Sequence, residues 1–346
     1  MTTRLRLQPL DEDSIEKEYA YMTNVPADEN GFINYCAGLP REGFEAVIRK
    51  MKDHARGIGL PEGYVPETHY LLWDGDGIVG WFRLRHYLCD SLRTGAGHIG
   101  YSVREDCRGR GYATEGLRLL LKEAENIIPE REAFLRVNKT NPASLKVMLK
   151  NGARIAAEDE EHYLTRIPLR TDDRAPVMTS ERIDYVRLTP ELLDEYLTMV
   201  NDAETARMIS GLGMSVGKAD ELLWVAEHRR RGCSLFSMIE RETGKFIGNI
   251  ELFDITEDTA TLGICITPAM QGRRFGSESV RRICAYAFED LGLAKVRLNV
   301  FSFNPRAMRC YEGAGFVKTD AQPAPDCAVP GAEEYTMELP KAALRL

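Results

Sequence analysis

The sequence is poor in the features that would take it outside the ordinary globular classes. Histidine occurs six times in 346 residues, and no two of the eight cysteines stand at Cys-x-x-Cys spacing. Neither a metal site nor a disulfide framework is expected, and the cysteines read as free thiols of a reducing cytosol. No apolar run approaches the ~20 residues of a membrane span. The opening Met1-Thr2-Thr3-Arg4-Leu5-Arg6 lacks the apolar core of an export signal. A cytoplasmic location with no membrane partner follows as the expectation. Neither sign of charge dominates: 45 Lys+Arg against 53 Asp+Glu leaves a formal net charge of −8. That speaks against a nucleic-acid partner and is compatible with a cationic substrate. Arg229-Arg230-Arg231 reads as a solvated helix end, and Trp73, Trp81 and Trp224 as core.

What is present is a duplicated pattern in a chain long enough for two domains. Residues 3–9 alternate and read as a strand, 11–22 and 44–51 as helices, and 58–67 as a Gly/Pro-rich loop. Asp74-Gly75-Asp76-Gly77 between two apolar runs signals a hairpin. A strand at Gly100–Val103 then runs into Arg108-Gly109-Arg110-Gly111-Tyr112-Ala113-Thr114, which opens a helix. Such a turn leaves backbone N–H groups converging at a helix N-terminus, a cradle for phosphate. A strand at 133–137 and a helix from Asn141 follow, with Pro142 suited to the first helical position. After a polar stretch read as a linker at 171–178 the order restarts: strand 183–188, hairpin about 242–245, strand, glycine turn, helix, strand 295–301 and helix 304–313. Gly100 and Gly263 lie 163 residues apart. The same offset relates Arg108 to Gln271, Glu115 to Glu278, Asn141 to Asn304, Pro142 to Pro305 and Gly152 to Gly315. One offset across turn and helix cap alike means two copies of one domain, 1–170 and 179–346.

The turn is not a dinucleotide fingerprint, since Thr114 stands where Gly-x-Gly-x-x-Gly requires glycine. Arg108-x-x-Gly111-x-Ala113 between strand and helix, with Asn141 opening a second helix, resembles the GNAT superfamily of N-acetyltransferases. The second copy, Gln271-Gly272-Arg273 through Asn304-Pro305-Arg306-Ala307 to Gly315-Phe316, is similar to the branch of spermidine and ribosomal-protein N-terminal acetyltransferases. The first copy resembles a group of predicted GNAT acetyltransferases without settled substrate. The resemblance implies an α/β (α+β) class. Each domain would have a mixed, mostly antiparallel central sheet, helices on both faces and one splayed parallel strand pair. It implies acetyl-CoA bound by Val103, Arg108, Gly109, Arg110, Gly111, Tyr112, Ala113, Thr114, Asn141 and Ser144 in the first copy. In the second it implies Ile266, Gln271, Gly272, Arg273, Arg274, Phe275, Gly276, Ser277 and Asn304. Arg274 stands where the family has glycine, so its side chain either crowds the pyrophosphate or pairs with it.

Direct transfer to an amine needs a base for the acceptor and an acid for the departing thiolate. Tyr311, seven residues after Asn304, matches the family's acid; 163 residues earlier stands Met148, which can donate no proton. His98 occupies the base position of the first copy, and Thr261 that of the second, where Glu251 is the substitute. His86 and Asp90 are candidates for the first acceptor site. Three readings stay open. In one, acetyl-CoA and an amine (a small amine or polyamine, or a peptide α-amine) react in a tandem enzyme. In another, one copy is degenerate and serves as a structural or acyl-CoA-sensing partner. In the third, the chain is an acyl-CoA-binding regulator with no turnover. The assembly is expected to be a pseudo-dimeric monomer or a homodimer. Acceptor choice is assigned to 22–67 and 201–234, which hold no decodable motif.

Overall fold

The structure is a computed structural model that describes residues 5–169, 175–210, 215–231 and 233–345. The chain separates into two compact units, Met1–Thr171 and Asp172–Leu346. Half of the expected linker, 171–174, lies outside the described residues, and Met178 already belongs to a strand.

The first unit runs β1 (Arg6–Pro9), α1 (Ile15–Met22), β2 (Asp28–Glu29), β3 (Phe32–Ile33), α2 (Arg41–Ala55), β4 (Glu67–Asp74), β5 (Gly77–Arg85) and α3 (Asp90–Thr94). It continues with β6 (Ile99–Val103), α4 (Tyr112–Ile127), β7 (Glu132–Asn138), α5 (Pro142–Lys150), β8 (Arg154–Glu158) and β9 (His162–Pro168). Besides the separate hairpin β2-β3, its strands form two larger antiparallel pieces, β1-β4-β5-β6 and β7-β9-β8. Between them β6 and β7 share no ladder, and a hydrogen bond from His98 N–H to the Phe134 carbonyl ties their starts at 2.7 Å. The parallel pair expected here is thus splayed along its whole length. Helices α1 and α2 bury Tyr21, Phe44, Ile48 and Met51 against Leu71, Trp73 and Trp81 of one sheet face. Each such side chain contributes roughly 1.5–3 kcal/mol. On the other face α4 presses Gly116 against Phe82, where a Cβ would collide with the ring.

The second unit runs β10 (Met178–Thr179), β11 (Ile183–Arg187), α6 (Leu193–Val200), α7 (Ala203–Ser210), α8 (Lys218–Arg231), β12 (Ser234–Glu240) and β13 (Phe246–Phe253). It ends with β14 (Thr259–Ile266), α9 (Phe275–Glu289), β15 (Lys295–Phe301), α10 (Pro305–Ala314), β16 (Val317–Pro323) and β17 (Glu333–Pro340). All eight strands join one sheet in the order β10-β11-β12-β13-β14-β15-β17-β16. Its one parallel pair, β14 with β15, is laddered only from Thr259–Thr261 to Lys295–Arg297. Beyond those residues the strands part, and the gap is the mouth of a cavity. Inside, Phe236, Ile250, Phe275, Val280, Ile283 and Leu298 belong to one buried cluster under α9.

Strands β8 and β16 had no periodic signal because they are exposed at every residue, so no alternation of apolar side chains is required of them. The hairpin β2–β3 is also unheralded. Its strands are two residues each, and Asn30 and Gly31 at positive φ make the turn.

Candidate active site

The glycine turns have the same backbone in both units. Gly109 and Gly111 adopt φ of 77° and 87°, and Gly272 and Arg274 adopt 75° and 66°. A Cβ placed on Gly109, Gly111 or Gly272 meets nothing within 4 Å, so the turns are open concavities that a ligand backbone or phosphate can approach. Each turn is braced alike. Arg108 Nε donates to the Val103 carbonyl at 3.2 Å, and Gln271 Nε2 donates to the Ile266 carbonyl at 2.9 Å. The second helices match too. Asn141 Oδ1 accepts from Ser144 N and Asn304 Oδ1 from Ala307 N, both at 3.1 Å, with proline following each cap.

In the second unit Gln271, Gly272, Arg274, Phe275, Gly276 and Ser277 line a cavity of about 1010 Å³. Asn304, Ile266 and Tyr311 also line it. Arg273 does not. Its guanidinium reaches Glu240 Oε1 at 2.5 Å and stacks on Phe275 at 4.8 Å, so its expected part in the site is corrected to bracing the turn. Arg274 lines the cavity, and its guanidinium has no hydrogen-bond or ion-pair partner among the described residues. Arg110 shares with Arg273 only its place outside the cavity lining. It is absent from the lining of the first unit's cavity, of about 540 Å³, which Val103, Arg108, Gly109, Gly111, Ala113 and Thr114 do line. Tyr112, Asn141 and Ser144 line it as well. Arg108 is held by an ion pair to Glu29 on the β2–β3 hairpin.

The expected acid and the substitute base of the second unit meet in one cavity. Tyr311 is 8% exposed, and burial raises its phenol well above the usual range, so it is protonated at neutral pH. Glu251 lies on the sheet face opposite the buried Ile250. Burial raises its carboxyl, with His228 acting weakly in the other direction. Gly263 stands directly across the ladder from Glu251 and makes room for it. Asp202, Glu204 and Asp254 line the same cavity. So do Tyr196 and Trp224, whose rings stack at 6.0 Å. Trp224 is therefore a cavity wall rather than core.

The first unit lacks this pairing. Met148 is 2% exposed and only accepts a contact from Thr165 Oγ1 at 3.4 Å. His98 does not line the cavity, which corrects its expected role as base. It is fully buried, its Nδ1 accepts from Phe134 N–H at 2.9 Å, and its Nε2 lies 3.2 Å from Glu130. With Nδ1 an acceptor, Nε2 carries the proton and donates to Glu130, so no lone pair is left for an acceptor amine. Burial lowers its pKa and keeps it neutral. His86 and Asp90 are also outside the lining; His86 Nε2 is bound to Thr68 Oγ1 at 2.8 Å.

Sequence reading missed Glu29, Arg83, Asp202, Glu204 and Tyr196. These lie on the short hairpin, on a buried strand or in segments without a motif, and only the packing brings them to a cavity. No group of three or more His, Cys, Asp or Glu suited to a metal occurs among the described residues, and no helix there is long and apolar enough to cross a membrane.

A family model of the acetyltransferase (GNAT) domain matches residues 4–154 and 182–317. Spermidine N(1)-acetyltransferase of Vibrio cholerae is 35% identical over 83 residues, 23% of this chain and 48% of that protein. An SPbeta prophage-derived uncharacterized N-acetyltransferase of Bacillus subtilis is 29% identical over 97 residues, 28% of this chain and 54% of that protein. The chain thus spans about half the length of the curated relatives it matches. Among solved structures, spermidine N-acetyltransferase from Vibrio cholerae in complex with CoA and spermine is similar at 22% identity and a TM-score of 0.43. That match covers 47% of this chain and 97% of that one.

Proposed function

Since the chain belongs to the GNAT acetyltransferase family, matched over both halves, we propose that its second unit moves an acetyl group from acetyl-CoA to an amine of a polycationic acceptor. The observation that carries this reading is the company Glu251 keeps. Asp202, Glu204, Asp254 and the aromatic pair Tyr196/Trp224 share its cavity with Tyr311. Carboxylates and aromatic faces suit an ammonium-bearing chain, which both attract. Spermidine acetylation by a relative accords with it.

The residues fit acetyl-CoA. The turn Gln271–Gly276 offers open backbone at positive φ ahead of the 15-residue α9, and Arg274 adds an unpaired cation for a diphosphate. When bound, acetyl-CoA supplies the activated acyl carbon that the amine attacks. Glu251 takes the proton of the acceptor ammonium, for which its burial-raised basicity equips it. Tyr311 holds a proton on its phenol oxygen, available to a leaving sulfur. The walls from α6 to α8 hold the acceptor and limit water. The first unit, which has Met148 in the place of Tyr311 and whose lining carboxylate Glu29 is ion-paired to Arg108, does not perform the transfer, and this favours the degenerate-copy reading.

The test is thiol release from acetyl-CoA across spermidine, spermine, a peptide with a free α-amine and a neutral monoamine. The expected result is the highest kcat/KM with the polyamines. Preference for the monoamine, or no release with any of them, overturns the proposal.

A further inference from the structure

The two cavities carry opposite charges at one position of the repeat. Glu251 pairs with Gly263 across β13–β14, and Arg83 pairs with Gly100 across β5–β6. Gly100 and Gly263 are equivalent by the 163-residue offset. Arg83 therefore stands in the first unit where Glu251 stands in the second, and the charge is reversed. The geometry points to a binding site for a small carboxylate at this end of the first cavity, formed by Arg83 and Arg85.

The argument is one of charge balance. Arg83 is 8% exposed, and both guanidiniums line the cavity. The counter-charge at this end is Glu67, whose Oε2 lies 3.7 Å from Arg83 Nε and 3.5 Å from Arg85 Nε. Glu67 is not among the lining residues, so it stands behind the arginines rather than in the cavity. Its other oxygen lies 3.2 Å from His69 Nε2. His69 Nδ1 accepts from Trp81 Nε1 at 3.0 Å, so Nε2 bears the proton, and burial keeps the ring neutral. One carboxylate is thus shared by the buried Arg83 and the partly buried Arg85, and one positive charge is left over. Buried charge is unfavourable unless paired. Arg83 Nε also has no hydrogen-bond partner.

Other contacts hold the two forks in position without neutralising them. Arg83 Nη2 donates to the Ile33 carbonyl at 2.9 Å, and Arg85 Nη1 donates to the Gly97 carbonyl at 3.0 Å. The Phe32 ring lies 5.0 Å from the Arg83 guanidinium. Glu29, the one carboxylate among the described lining residues, is already engaged by Arg108 and the Ser102 hydroxyl. The rest of the lining adds Arg136, Lys146 and Lys150. A single uncompensated charge and a planar fork match one carboxylate group, which is flat and carries one negative charge, of a mono- or dicarboxylate. A cavity of about 540 Å³ suits a metabolite-sized molecule. With arginine in place of a base, the ligand is held and not acetylated, so the first unit acts as a receptor for it.

The test titrates the full chain calorimetrically at saturating CoA with succinate, inorganic phosphate and spermidine. The expected result is one succinate site per chain, weakened about tenfold or more in Arg83→Gln, as loss of a charge-assisted hydrogen bond requires. Arg83→Lys, which keeps the charge and loses the fork, is expected to fall between. Spermidine binding stays within about twofold in all variants, because its cavity lies in the other unit. If Arg83→Gln fails to fold, Arg85→Gln, whose guanidinium is less buried, is expected to weaken succinate similarly. No succinate binding by the unmodified protein, succinate binding unchanged in folded variants, or phosphate bound at Arg83 in preference to succinate overturns the proposal.

Discussion

Glu251 faces Gly263 across the β13–β14 ladder, and a Cβ at 263 would lie 3.1 Å from Glu251 Oε1 and 3.2 Å from its Cγ. That approach is tighter than ordinary contact, so alanine there displaces the carboxylate. Gly263→Ala is expected to lower kcat about tenfold or more, the usual effect of misplacing a reacting group. The melting temperature should change little, because the strand backbone tolerates alanine. Steady-state rates beside a thermal melt check both halves of the statement.

The pH profile follows from Glu251. Burial raises its carboxyl, and it accepts a proton only when ionised. The kcat/KM for the polyamine should rise with pH through a value above the ordinary glutamate range, and Glu251→Gln should lose that limb with a drop of about 10²–10⁴. The stability effect has the opposite sign. The folded protein binds this proton more tightly than the unfolded chain does, so its contribution is present below the ordinary glutamate range and lost as pH rises through the folded value. Glu251→Gln should therefore melt higher than the unmodified protein at neutral pH and show no such gain in acid.

Tyr311→Phe removes the proton and keeps the ring that packs beside Phe316 at 6.0 Å. Turnover should fall by about 10- to 10⁴-fold with CoA affinity unchanged. Equal turnover would assign the proton to another donor.

Arg274 separates stability from binding. It holds φ of 66° at the start of α9, the conformation Gly111 adopts in the first unit with φ of 87°. Arg274→Gly should relieve about 1 kcal/mol of backbone strain and raise Tm. It should also weaken CoA about tenfold or more, because Arg273 is turned to Glu240 and leaves Arg274 as the turn's free cation toward the cavity. Melting and calorimetry on the same sample should move in opposite senses.

The parts of the fold that were legible are those where backbone chemistry is confined to a few adjacent residues. The glycine turns, the caps Asn141 and Asn304 and the Asp74–Gly77 hairpin specify themselves locally, and the fixed offset carried the pattern from one half to the other. Tyr311 could be placed by its distance from a cap on one helix. His98 could not be judged, because its burial and its bonds to Phe134 and Glu130 depend on a strand start 36 residues away in sequence. Arg110 and Arg273 looked like phosphate ligands from their place in the turn, and only packing shows Arg273 facing Glu240. The charge reversal between Arg83 and Glu251 was hidden because the 163-residue offset was established only from Gly100 onward.

The most direct measurement of the central claim is spermidine-dependent thiol release by the full chain carrying one substitution in either cavity. Glu251→Gln, in the second unit, is expected to lower the rate by about 10²–10⁴. Met148→Leu, at the equivalent of Tyr311 in the first unit, is expected to leave the rate within about twofold, since the swap conserves volume. A rate that survives Glu251→Gln would contradict the account and move the chemistry to the first unit.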